Sequence, residues 1–452
     1  VEASKEHDEV IPFYVIDDEY FRETELGYPR IKFWRESLAD LEDSLQQEGK
    51  DLVVRKGKPI EQLEKIVEET DADKVYFNRD YSPYSKERDQ KVQDLEVETE
   101  SFKDIVMFEK QEIMTNSGTP YKVYTYYSKK WFKRDMPRPR QVEDYSVPEM
   151  KSGEIPEVEE LGYEKPEELN WEWETGREAG KKRLEDFKDR IWNYDNKRDL
   201  AAEDGTSKLS PHLKFGTISV REAFWTAERI KARNPDSDTS GIKTWQEELA
   251  WRDFYMQMLW NFPETTQEAM QEQFRSIDWD KKDENEEKWR RWRDGETGYP
   301  FVDAGMRQLK KTGWMHNRLR MVVTCFACKD LWLDWRDVHD HFSRNFVDAE
   351  LASMIGGIQW AYSIGTDAQP YFRVFNPFKQ GEDYDPDGEY IRKYVPELSD
   401  VPDEYIHRPH EMPKEVQEEA GCVIGEDYPE PIVDHDKMRE HSVERFEDAR
   451  EE

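Results

Sequence analysis

The first third of the chain alternates short apolar runs with amphipathic stretches. IPFYVID (11–17) reads as a buried strand. RIKFWRESLADLEDSLQQEG (30–49) carries its apolar residues at helical spacing and stops at Gly49. DLVVRKG (51–57) is a second strand, and Pro59 opens the helix PIEQLEKIVEET. KVYFNRD (74–80) is a third strand, followed by SPYSKERDQKVQDLEVE as a charged helix. Such repeats predict a Rossmann-like parallel sheet with crossover helices, an α/β domain over residues 1–130. No G-x-G-x-x-G follows a strand, so the usual dinucleotide fingerprint is absent.

The periodicity breaks at about 134–172, a proline-rich, acidic stretch that reads as a connector wrapped over the surface, 131–175 in domain terms. From 176 to 400 the helical period dominates, in GREAGKKRLEDFKDRIWNY, TWQEELAWRDFYMQMLW, EKWRRWRDG, VDAGMRQLKKTGW and RMVVTCFACKDLWLDW. This predicts an all-α second domain. Residues 401–452 are acidic and weakly periodic and read as an extension. Two domains suit 452 residues, too many for one ordinary core.

Charge changes the picture. Asp and Glu number 102 against 67 Lys and Arg, a net charge of −35 spread along the chain. A dense carboxylate surface of this kind suits a salt-rich, halophilic cytoplasm. It argues against non-specific binding to nucleic acid, so any DNA contact needs a local basic patch or a neutral pocket. Cys325, Cys328 and Cys422 are too few for a disulfide framework and suggest a reducing compartment. The C-x-x-C of Cys325 and Cys328 lies inside an apolar helix and reads as packing rather than redox or metal chemistry. Residues 351–366, LASMIGGIQWAYSIGT, carry no charge at all, yet are too short and polar to span a bilayer, which needs about 20 apolar residues. A cytoplasmic protein with no membrane partner is expected.

Four stretches of the helical domain hold candidate chemistry. In DGTSKLSPHLKFGTIS (204–219), small hydroxyl residues and free backbone N–H groups precede a helix start, which suits a phosphate, although helix capping explains it equally well. WQEELAWRDFY (245–255) puts Glu248 on a face with Trp245 and Trp251, where a carboxylate is costly unless paired. TGWMHNRLRM (312–321) crowds His316, Asn317, Arg318 and Arg320 into five residues. The fourth, 348–381, contains the uncharged run. Together they suggest an anion cradle, a polar fork and aromatic platforms for a planar ring, a flavin or a base.

TSKLSPHLKFG, EELAWRDFY, TGYPFVDAGMRQLKKTGWMHNRLRM, GGIQW, GTDAQPYFRVFNP and YIRKYVPEL, in this order, resemble the photolyase/cryptochrome family. NRDYSPYSKERD and the stretch 118–125 extend the likeness into the first third, so that it covers about 10 to 400. The family's first strand would precede Val1, so the sheet is expected to lack one strand. The resemblance implies FAD in the helical domain. It puts Tyr194, Thr206, Ser207, Lys208, Leu209 and Ser210 around the phosphates and adenosine. Trp245, Asn317, Arg320, Asp348, Ala349 and Glu350 would lie against the flavin and ribityl, with Arg320 and Asp348 as an ion pair. Glu248, Trp251, Asn317, Met321 and Trp360 match the pattern of enzymes that repair cyclobutane pyrimidine dimers in ultraviolet-damaged DNA. In that reaction light-excited reduced FAD passes an electron to a flipped-out dimer. Glu248 would stabilise the charge on the dimer, and Trp251 and Trp360 would wall it in. Arg198, Arg318, Arg373, Lys379 and Gln380 would meet DNA phosphates. Met315-His316-Asn317 lacks the histidine pair of six-four repair enzymes.

Two positions depart from the pattern. Met354 stands where an asparagine would face the flavin, and its thioether donates no hydrogen bond. Ile358 stands where the first tryptophan of an electron wire would be, with Trp335 matching the middle member and Trp279 the outer one. Repair is expected to survive and flavin photoreduction to be slow or rerouted, through Trp360 or Trp332. An antenna chromophore, folate or deazaflavin, is possible in the first domain with Asp80 as a contact. The chain is expected to act as a monomer. The competing readings are a cryptochrome-like blue-light photoreceptor without repair activity and an inactive fragment.

Overall fold

The computed structural model describes residues 1–23 and 26–451. Phe13–Ile16 (β1) and Val53–Lys56 (β2) pair in parallel, Phe13 opposite Val53 and Ile16 opposite Lys56. The crossover is Tyr28–Gln47 (α1), which begins with a proline in its first turn and buries Ile31, Phe33 and Leu38. Pro59–Thr70 (α2) then leads to Lys74–Asn78 (β3), and Asp71 ends α2 in the left-handed region at φ 52°. Pro83–Gln93 (α3) is capped by Ser82, whose Oγ accepts the Ser85 N–H at 3.1 Å.

The charged stretch after β3 is not one long helix. It stops at Gln93, and Glu98–Phe102 (β4) pairs in parallel with β3. Acidic side chains hide this strand in the sequence. Glu98 and Glu100 lean on Lys74 of β3 at 3.2 and 2.6 Å, so cross-strand ion pairing replaces apolar contact. The expected single sheet is thus two parallel pairs, β1–β2 and β3–β4, among the described residues. Residues of both β1 and β3 line one open cavity of about 1230 Å³.

The connector 134–172 holds one short 3₁₀ turn, Glu159–Leu161, and touches both domains: the Ser152 hydroxyl accepts the Val54 N–H, the Pro137 carbonyl accepts the Trp225 indole N–H, and the Asn170 N–H donates to the Lys311 carbonyl. Beyond it the helices that frame the cleft are Gly176–Asp186 (α4), Tyr194–Lys197 (α5), Ser210–Phe215 (α6), Val220–Arg233 (α7) and Ser240–Asn261 (α8). They continue with Pro300–Thr312 (α9), Asn317–Lys329 (α10), Trp335–Asn345 (α11) and Leu351–Ala361 (α12). The spine is α8. It packs against α5, α7 and α12 and buries Trp245, Leu249, Phe254 and Met258. Its Asp253, fully buried, accepts the N–H groups of Met107 and Phe108 and the indole N–H of Trp131, which fastens the first domain to the second. Burial pushes that carboxyl up to about 6 against these donors.

The last fifty residues are part of the helical core. Tyr428 and Phe446 are buried in the same cluster as Phe301, Val323 and Ile358. Phe446 lies on His435–Glu451 (α13), and the Lys329 ammonium sits 3.7 Å from the centre of its ring. His435 meets buried Asp330 at 2.6 Å. A single phenylalanine among acidic residues, Phe446, anchors this helix, which a weak periodicity conceals. Cys325 and Cys328 are buried and free inside α10, as a packing role requires. No helix among the described residues is long and apolar enough to cross a membrane.

Candidate cofactor and substrate cleft

The cleft forms where α5, α8, α10 and α12 meet the loop before α6. That loop is held by packing, by Arg190 donating to the Asp204 carbonyl at 2.9 Å, and by the Lys208–Asp204 pair at 3.1 Å. Gly205 passes so close to α5 that a Cβ there would lie 2.4 Å from the Lys197 carbonyl oxygen. Lys208 is in the left-handed region at φ 51°, a strained place for a side-chain-bearing residue. The half-buried N–H groups of Thr206, Ser207 and Lys208 have no protein acceptor among the described residues. Successive N–H groups left free in this way make an anion-binding concavity. Leu209, Tyr194 and Trp245 are buried behind it, with Trp245 against Phe187 at 5.5 Å, and Ser210 opens α6.

Across the cleft, Arg320 holds Asp348 at 2.8 and 3.1 Å and donates through Nε to the Met315 carbonyl at 2.9 Å. Its guanidinium lies 4.0 Å from the Phe346 ring. Asp348 is buried, while the Arg320 side chain keeps 26% of its surface open. Ala349 is buried, and its carbonyl accepts from Arg30. Glu350 precedes α12. Its two carboxylate oxygens accept the Ala352 and Ser353 N–H groups, so the side chain caps α12.

Glu248 projects from α8 and pairs with Arg198 of the turn after α5. The next residue, Asp199, takes Arg318 at 3.0 Å. The Glu248 side chain keeps 37% of its surface open, but that surface faces a cleft walled by protein. Burial pushes the carboxyl up to about 7, with Arg198 pulling it back. Asn317 is exposed at the start of α10, its amide 3.9 Å from the Met321 sulfur. Trp251 is stacked face to face with Tyr124 of the first domain, ring centroids 3.6 Å apart and planes within 8°. Tyr124 donates its hydroxyl to the Glu247 carbonyl at 2.8 Å. No local signal marks Tyr124 as a buttress, because its partner is 127 residues away and in another domain.

Helix α12 carries the uncharged run past this site. Its two glycines have separate reasons. A Cβ on Gly356 would strike the Tyr255 ring at 2.1 Å, so this residue permits the close crossing of α8 and α12. A Cβ on Gly357 would meet nothing within 4 Å, so this residue opens on free space. Met354 and Ile358 are buried in the core beneath. Trp360, half-buried, leans on Phe375 at 6.5 Å. Arg373 is exposed, Lys379 is tied to Asp383 at 2.8 Å, and the Gln380 side-chain oxygen is buried without a partner. Asp80 accepts from Ser85 at 3.0 Å in the first domain.

Trp335 and Trp279, expected in an electron wire, are both buried. Trp335 is buried with the Arg336 guanidinium 4.6 Å over its ring. Trp279 lies against Trp332 at 4.5 Å and against Tyr362 at 5.2 Å. Tyr362 is one helical turn beyond Ile358.

A free N–H cradle at 206–208, an aromatic platform at Trp251 and the Arg320–Asp348 pair follow one another along the helical domain. The model for the FAD binding domain of DNA photolyase matches residues 245–448, and the DNA photolyase model matches residues 1–144. The chain belongs to the DNA photolyase family. It is 39% identical to a deoxyribodipyrimidine photo-lyase of Halobacterium salinarum over all of this chain and 94% of that protein. It is 37% identical to another of Alkalihalophilus pseudofirmus over 92% of this chain and 87% of that protein. A class III photolyase structure from Agrobacterium tumefaciens superposes with a TM-score of 0.90 at 34% identity, covering 100% of this chain and 94% of that one. A Synechocystis cryptochrome superposes at 0.87 with 26% identity, covering 98% and 94%. The family likeness therefore runs through the C-terminal helix, beyond the 400 or so residues that motifs alone suggested. The residues fit FAD, since the unpartnered N–H groups of 206–208 suit its diphosphate and the Arg320–Asp348 pair gives a polar edge in an apolar wall.

Proposed function

We propose that this photolyase binds cyclobutane pyrimidine dimers, flipped out of DNA, in the cleft between Trp251, Trp360 and Glu248, and repairs them in light. The observation that carries this is the Trp251–Tyr124 stack beside Glu248. It fixes an aromatic plane next to a carboxyl whose pKa is raised. FAD, when bound and reduced, supplies the light-driven electron that opens the cyclobutane ring.

The chain's residues then have separable tasks. Trp251 is held flat by Tyr124, so a base can stack on it without ordering a free side chain. Trp360 closes the opposite side. Glu248, close to its ionisation midpoint at neutral pH, presents either a donor O–H or an acceptor to the polar edge of a pyrimidine, where charge develops. Arg198 is released from Glu248 when that carboxyl is neutral and can then meet a phosphate. Asn317 lies at the mouth, next to Met321. Arg318, which Asp199 already holds, orders the rim. Gly357 leaves room beside the run 351–366, where a charge would be costly to bury.

The photoreceptor reading shares the fold, as the cryptochrome likeness illustrates, and is separated by substrate preference. In the dark, the reduced protein should bind a dimer-bearing oligothymidine at least about tenfold more tightly than the undamaged strand, and Trp251→Ala should abolish the difference. Equal affinity for both strands would favour signalling over repair.

A further inference from the structure

His316 precedes α10, 3% exposed, and its Nδ1 accepts the Arg318 N–H at 3.2 Å, capping the helix. A ring nitrogen that accepts carries no proton. The proton of the neutral imidazole therefore sits on Nε2. The ring is neutral at physiological pH, because burial pushes its pKa down to about 4 against the pull of Asp199. Nε2–H is thus a donor. It is buried and has no partner, which is a costly state for a polar group with nothing to bind.

The neighbours say what faces it. The charged groups around the ring are Asp199, Arg318, Lys208 and Arg320. Each has a carboxylate role already fixed: Asp199 with Arg318 at 3.0 Å, Lys208 with Asp204 at 3.1 Å, and Arg320 with Asp348. Trp314 meets the histidine edge-on at 6.4 Å, and the cationic ends of Lys208 and Arg320 each lie 5.9 Å from that indole. His316 therefore lies among residues of both halves of the cofactor cleft, the 204–210 loop and the Arg320–Asp348 pair.

We propose that His316 is a further FAD-binding residue, whose Nε2–H donates to an acceptor oxygen of the bound cofactor between that loop and that pair. This rests on the reading of the cleft as the FAD site. It gives the histidine two jobs at once, with Nδ1 holding the helix and Nε2 holding the ligand.

Two substitutions separate the jobs. In His316→Asn the side-chain oxygen takes the capping position of Nδ1, and nothing replaces Nε2. His316→Asp also caps the helix and adds a negative charge toward the anionic ligand. FAD release from the holoprotein is read as flavin fluorescence on dilution, and thermal unfolding of each protein is read by circular dichroism. The expected dissociation constants rise about tenfold in His316→Asn, and further in His316→Asp, while unfolding at saturating FAD keeps its cooperativity. Wild-type and His316→Asn proteins with the same FAD affinity would overturn the proposal. Failure of the wild-type protein to bind FAD would instead overturn the reading of the cleft.

Discussion

Glu248 is the residue on which the pH behaviour turns. Its folded pKa is raised, to about 7. Its contribution to stability is therefore fully present below the ordinary carboxylate range and is lost as pH rises through about 7. Dimer affinity should follow the same ionisation, because neutral Glu248 frees Arg198. Titrating dark binding of damaged oligothymidine should show affinity falling above neutrality in the wild-type protein and a flat profile in Glu248→Gln. A matching slope in both would place the ionisation elsewhere. The adjacent glycines offer a second contrast. Gly356→Ala drives a methyl into Tyr255 and should cost about 1–3 kcal/mol or more. Gly357→Ala meets no atom and should leave unfolding unchanged or slightly improved, since alanine favours helix by about 1 kcal/mol. Chemical denaturation of the two variants checks both.

At the scale of elements, the helices α8 and α10 were legible because their apolar spacing is long and regular, whereas α12 was read only as an uncharged run opened by two glycines. The ion pair Arg320–Asp348 was legible only through the family resemblance, for which the need of buried opposite charges for partners gives a physical reason. Strand β4 was hidden by its acidic residues, which pair with Lys74 instead of packing. The docking of α13 was hidden because it hangs on Phe446, His435 and the contacts of Arg445 with Trp332 and Arg450 with Tyr371 rather than on an apolar stripe. Tyr124 under Trp251 was illegible for a different reason, since nothing local in a sequence encodes a contact between domains. The aromatic path also shows only in three dimensions. Tyr362, Trp279 and Trp332 touch in series, whereas Ile358 interrupts the expected order. We predict that Trp279→Phe and Tyr362→Phe slow light-driven reduction of the bound FAD by about tenfold or more, and that Trp335→Phe slows it less. Flash absorption spectroscopy reads the rates. A larger loss in Trp335→Phe than in the other two would restore the order read from the sequence.

For the whole molecule, the net charge of −35 is a constraint on how DNA can be held. The cations that line the cleft are already engaged: Arg198 with Glu248, Arg318 with Asp199, Lys379 with Asp383. Few remain to displace counterions from phosphate. With a slope of roughly −0.9 per phosphate contact, the logarithm of dimer affinity should fall with that of salt no more steeply than about −2. A much steeper loss in salt titrations would show that backbone charge dominates binding. With so few free cations, the proposed function requires shape and stacking to carry most of the affinity.

The central claim is repair in this cleft. Its most direct test is to add ultraviolet-damaged oligothymidine to the reduced, FAD-loaded protein and follow base absorbance under blue light. The account predicts light-dependent recovery of the absorbance, abolished by Trp251→Ala and absent in the dark. No recovery by wild-type protein with FAD bound would contradict it.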